Sequence, residues 1–321
     1  KELDYMKGEC LGLRAFLHFD VARLFAEDYT RSTSSTRGIP YSTTFDLNNK
    51  ELLTLHKTYE AILADLNEAE TLLANDTVVN VETSPSSDYL KGRGLLFNKY
   101  AVAATKARVY YAMGNYTEAA RYAQQVLDAT SNFKLKKLSS LDDVKRYPAN
   151  GEMIFGLYND KLSSNISEMF LNATSRGNFT EARRDIEDLY DKSSLSATST
   201  DLRLTTYYRE ATAVSSGKTF SFVRFIETTA AVTNSPLKGI TLIRLPEMYY
   251  ILAEANYDTN PTKAVQYLND VRNSRGLEDV NSNKTSSKEA FEKELMRERM
   301  REMPGEGQVF YALKHFNRSF T

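Results

Sequence analysis

Residues 95–129 read LLFNKYAVAATKARVYYAMGNYTEAARYAQQVLDA, and this spacing predicts an antiparallel helix pair. An Ala-rich helix runs to Met113-Gly114-Asn115, and a second, amphipathic helix begins near Thr117. Ala101, Ala103, Ala104 and Ala107 on the first, with Ala119, Ala120 and Ala123 on the second, let the two backbones approach closely. Tyr110, Tyr116, Tyr122 and Leu127 fill the space beyond them, and Gly114 supplies the left-handed residue that ends the first helix.

Residues 241–276 repeat the arrangement. Pro246 sits in the first turn of one helix and Asn260-Pro261 opens the next, where proline is tolerated. Met248, Ile251, Leu252 and Ala255 form one apolar stripe; Val265, Leu268, Val271 and Leu277 form the facing one. The Ala, Gly-Asn-Tyr, Ala pattern of residues 95–129 is the tetratricopeptide signature in reduced form, without its Trp and closing Pro. Two long helices are predicted over 5–25, with Leu13, Phe16, Leu17, Val21 and Leu24 as the core stripe, and over 51–74, with Leu55, Tyr59, Ile62, Leu66, Ala69 and Leu73. A last helix covers 287–303 and is dense in both charges.

The fold expected is mainly α, a single domain in which tetratricopeptide-like helix pairs over 1–133 and 240–321 form a scaffold. Residues 134–239 form a long irregular excursion with short β pieces at 153–157 and 220–225 and a Ser/Thr run at 193–200. Residues 30–49 form a Ser/Thr-rich connection. A helical scaffold with one such excursion is expected to present function from it, since loops carry what a scaffold positions.

Composition excludes several classes. With 41 Lys and Arg against 42 Asp and Glu in 321 residues, there is no positive surplus for a nucleic-acid backbone. The apolar content of 41%, without long apolar runs, excludes fibrous and membrane-spanning classes. The single Cys10 cannot form an internal disulfide, and His18, His56 and His315 lie far apart and outside any zinc motif. No cofactor is expected, and calcium held by carboxylates is the one metal left open.

Four ordered blocks carry a family resemblance. Glu9 to Phe25 (ECLGLRAFLHFDVARLF) resembles the E-x-x-x-L-R-A helix of the RagB/SusD family, and Tyr59 to Ala69 resembles its Y-x-x-I-x-x-D-L-x-x-A helix. Arg244 to Ala255, followed by 264–276, is similar to its R-x-A-E-x-Y-L-x-x-A-E-A and L-N-x-V-R-x-R-x-G run, and 294–314 to its E-R-x-x-E closing block. Asp201-Leu202-Arg203 is similar to its D-x-R landmark. The chain departs from the pattern at Val309, where the family favours Arg, at Ala312, where Asp is usual, and in having no Trp.

The resemblance implies a cell-surface lipoprotein of the outer membrane that captures an oligosaccharide or similar nutrient, passes it to a SusC-like TonB-dependent transporter, and does not cleave it. Its signal and lipid anchor are expected outside this chain. Cys10, inside an amphipathic helix with no apolar leader before it, is expected to be a buried core thiol and not the anchor. A sugar site needs aromatic faces and hydroxyl partners. The excursion offers Tyr158, Asn159, Asp160, Phe179, Tyr190, Tyr207, Tyr208 and Arg209 as the candidate ligand-binding residues. Acid pairs such as Asp142-Asp143 and Glu187-Asp188 are adjacent in sequence and do not face each other across a cleft. Two other classes compete: an intracellular tetratricopeptide adaptor holding a peptide in a concave groove, which should keep short turns throughout, and a secreted glycosidase, which turnover would reveal.

Overall fold

The structure is a computed structural model describing residues 1–76, 89–90, 93–137, 151–171, 180–192, 201–213, 217–225 and 239–319. Helices α1 (Glu2–Phe25), α2 (Leu55–Leu72), α3 (Lys99–Ala112) and α4 (Tyr116–Leu127) precede the excursion; α8 (Leu245–Tyr257), α9 (Pro261–Ser274), α10 (Lys288–Glu302) and α11 (Gln308–His315) follow it. Each of α1 to α4 packs on the next, α4 packs directly on α8, and α8 on α9. The excursion is therefore inserted into an otherwise continuous helical stack.

Both predicted helix pairs form, and local chemistry sets their ends. Asn98 accepts from the backbone N–H groups of Tyr100 and Ala101, Asn115 from Glu118, Asn260 from Lys263 and Ser287 from Ala290. Gly114, at φ 71°, makes the turn between α3 and α4. Ala101, Ala104, Ala107, Ala119 and Ala123 are fully buried, as close approach of the two backbones requires.

The reading of α1 is corrected. Leu17, Val21 and Leu24 are exposed, while Gly8, Leu11, Gly12, Ala15, Phe16, Phe19 and Ala22 face the core. The helix turns its small residues inward because its neighbours come too near for anything larger: a Cβ on Gly8 would lie 2.8 Å from Leu73 Cγ. Cys10 is on the outer side and is exposed, not a core thiol.

The excursion holds more regular structure than expected. Strand β3 (Met153–Tyr158) pairs antiparallel with β7 (Gly239–Arg244), which runs straight into α8. Thus residues 241–244, predicted to open a helix pair, are strand. Phe155 packs edge-on to Phe97 and Phe16, with ring centroids 5.0 and 5.7 Å away, so β3 belongs to the main helical core. Beyond it come helices α5 (Leu162–Leu171), α6 (Arg183–Leu189) and α7 (Leu202–Tyr207), and a three-stranded antiparallel sheet in the order β4 (Thr180–Ala182), β6 (Gly217–Phe222), β5 (Tyr208–Ala213). These helices are too short to leave a repeating stripe in the sequence. Near the N-terminus, β1 (Arg37–Pro40) and β2 (Leu52–Thr54) form a two-stranded ribbon.

In α10, Glu294, Glu298, Arg299, Arg301 and Glu302 are buried, while Lys288, Glu289 and Lys293 are exposed. Glu298 and Glu302 are wholly buried and accept from Arg203 of α7, Arg272 of α9, Arg275 just after α9, and Arg301. Arg244 at the end of β7 donates to Glu302 at 2.8 Å, and Arg275 also holds Glu152 at the foot of β3. Asp201 grips Arg203 through both carboxylate oxygens, at 2.9 and 2.7 Å. This lattice ties the excursion to the scaffold.

Candidate functional site

The predicted ligand residues divide by burial. Tyr190, Tyr207 and Tyr208 form a second small core with Ile186, Leu204 and Phe220. Tyr190 donates its hydroxyl to the Arg301 carbonyl at 2.8 Å, and the Tyr207 ring lies 4.4 Å under the Arg224 guanidinium. At 1%, 1% and 7% exposure these rings have no free face for a sugar. Tyr158, 52% exposed, is followed by exposed Asn159 and Asp160, and Arg209 on β5 is exposed as well. Phe179 and the Ser/Thr run at 193–200 lie outside the described residues.

A second surface was not anticipated from sequence. Where the turn between α3 and α4 meets the end of α11 there is an open hollow of about 650 Å³. Its walls include Tyr29, Tyr116, Phe316, Asn317, Glu254 and Glu292. Gly114 and the αL residue Asn317, φ 50°, shape its edges. Glu254 sits at its floor, accepting from the Tyr111 hydroxyl, from Tyr116 Oη at 3.0 Å, and pairing with His315 Nε2 at 2.7 Å. Burial alone would push the Glu254 carboxyl up, but the His315 pair, the charge of Arg299 and the Tyr111 hydroxyl hold it below the usual range. Burial, then the charge of Glu254, push Glu292 the other way. The hollow offers aromatic edges beside fixed polar groups, the chemistry that suits a hydroxylated ligand. Arg14, within the Glu9 to Phe25 block, holds Asp65 at 2.6 and 2.7 Å, clamping α1 to α2.

Among the described residues, no group of three or more His, Cys, Asp or Glu is disposed to hold a metal ion. No described helix is long and apolar enough to cross a membrane.

A model of the SusD family matches residues 60–319. The chain belongs to the SusD family. Residues 1–111 also match a family described as starch-binding, associating with the outer membrane. Solved SusD structures share the fold. A SusD-like carbohydrate binding protein from Bacteroides vulgatus superposes with a TM-score of 0.71 at 20% identity, over 98% of this chain and 63% of that one. A SusD superfamily protein from Bacteroides thetaiotaomicron gives 0.72 at 23% identity, over 99% and 68%. This SusD-family chain thus spans about two thirds of the length of these structures. No curated protein matches it.

Proposed function

We propose that the protein binds a soluble oligosaccharide or similar nutrient without converting it and delivers it to a SusC-like TonB-dependent transporter, held at the outer-membrane surface by a lipid anchor. The observation that carries the reading is the hollow walled by Tyr29, Tyr116 and Phe316, with carboxylate and amide groups at the same surface. Tyrosine rings take the C–H face of a sugar while fixed polar groups take its hydroxyls. Glu254 is fully engaged by its own neighbours, which suits a positioning group and not a nucleophile. A site without tryptophan is expected to hold its ligand loosely, in the micromolar to millimolar range, about −8 to −4 kcal/mol. Tyr158, Asn159, Asp160 and Arg209, all exposed, are further ligand contacts in this reading, and Phe179 is one proposed from sequence.

Isothermal titration of the wild type, Tyr116→Ala and Tyr158→Ala against a panel of soluble oligosaccharides tests this. A tenfold or greater loss in Tyr116→Ala is expected. Loss confined to Tyr158→Ala would move the site to the excursion. Absence of any glycan binding, or hydrolysis of a bound glycan by pure protein, overturns the reading.

A further inference from the structure

The two carboxylates on the wall of the hollow differ in what meets them. Glu254, 9% exposed, is held by Tyr111, Tyr116 and His315. Glu292, on α10, is half-buried, and among the described residues no hydrogen bond or ion pair reaches its carboxylate. Its oxygens are open to solvent and are not sealed inside the protein.

The bases nearby are committed elsewhere. His315, the one base among the described wall residues, pairs with Glu254 at 2.7 Å. Lys288, one turn before Glu292 on α10, donates to Asp258 at 2.6 Å. Arg299 is buried, and its charge acts on Glu254 and Glu247. Burial, then the charge of Glu254, push the Glu292 carboxyl up; Lys288 and His315 pull it the other way, and Asp258 adds to the rise. A cation brought to this wall relieves the repulsion between the two glutamates.

The rest of the wall suits an organic cation. Tyr29, Tyr116 and Phe316 supply aromatic groups, which attract an ammonium. Thr30 and Asn317 add neutral polar groups for hydroxyls. A phosphate or sulfate, in contrast, would be brought against two carboxylates. Resting on the reading of the hollow as a glycan site, we propose that its ligand carries a protonated amine, an amino sugar within an oligosaccharide, with Glu292 as the counter-ion and the aromatic wall beside it.

Isothermal titration with three β-1,4-linked oligomers of equal length, of glucosamine, N-acetylglucosamine and glucose, tests this at about pH 6, where an amine is protonated and a carboxylate ionised. The amine and the hydroxyl it replaces differ in charge and hardly in size. The glucosamine oligomer should bind at least about fivefold tighter than either neutral oligomer, and added salt should narrow that gap. Glu292→Gln should abolish the preference and leave the affinities for the neutral oligomers unchanged. The comparison of the three ligands on the wild type needs no variant to fold. Equal or tighter binding of a neutral oligomer, or an undiminished preference in Glu292→Gln, overturns the amine assignment and leaves the glycan reading standing. Failure of all three to bind also overturns it, while the wider oligosaccharide panel decides the glycan reading by itself.

Discussion

Arg275 meets Glu302 edge to edge: Nε donates to one carboxylate oxygen at 3.0 Å and Nη2 to the other at 2.8 Å, with Arg275 2% and Glu302 0% exposed. Arg244 and Arg203 take the same two oxygens from other sides, at 2.8 and 3.1 Å.

Glu302→Gln should therefore be among the most damaging single changes. Removing the charge leaves three buried guanidinium groups short of a counter-charge, and breaking a buried pair costs about 3–5 kcal/mol. Urea unfolding of variant and wild type measures it. A loss below about 1 kcal/mol would mean that the lattice relaxes around a neutral amide.

The same lattice sets the response to acid. Burial would push the Glu298 and Glu302 carboxyls up, yet the arginines around them hold both below the usual range. Their folded values lie under the unfolded one, about 4.3. The stability they contribute is then complete above that value and drains away as the pH falls below it. Unfolding midpoints in urea should drop steeply between about pH 5 and pH 3, and less steeply in Glu302→Gln.

At the other end of the chain, Gly12 of α1 faces the Phe97 ring, and an added Cβ would stand 2.5 Å from its Cδ1 and Cε1. Phe97 is itself fixed edge-on by Phe155. Gly12→Ala should cost about 1–3 kcal/mol by overpacking, visible as a lower melting temperature. An unchanged melt would show that the ring can withdraw.

The two faces of α1 should respond oppositely to substitution. Phe16 is 4% exposed and Leu17 59%. Phe16→Ala is expected to cost about 3–5 kcal/mol, while Leu17→Lys should change stability by less than about 0.5 kcal/mol. A large loss in Leu17→Lys would reverse the orientation of the helix described above.

The helix pairs were legible because an apolar stripe and an Asn cap, Asn115 or Asn260, agree at each of them, with Gly114 marking the turn of the first. The orientation of α1 was not, because hydrophobicity marks Leu17 and Leu24 while the true contact face is made of Gly8, Gly12 and Ala15, whose value is their lack of bulk. The fate of Tyr190, Tyr207 and Tyr208 was hidden for a related reason: a tyrosine that packs and one that waits for a ligand carry the same letter, and only the sheet formed by β4, β6 and β5 decides between them. The hollow was invisible since Tyr29, Tyr116, Glu254 and Phe316 come from four distant segments.

The buried lattice also bears on how this chain can be recombined with its relatives. Glu152 and the Asp201–Arg203 pair come from the excursion, while Arg244, Arg272, Arg275, Glu298, Arg301 and Glu302 come from the scaffold. Glu298 and Glu302 are each shared by three arginines and Glu152 by two. The excursion is thus no exchangeable cassette. A chimera that swaps in another relative's insert keeps charge balance at the seam only if the insert brings acids and a base in matching places. Otherwise an odd charge is sealed inside. Substitutions at the seam are consequently tolerated as compensating sets, so that segments far apart in sequence are bound to drift together.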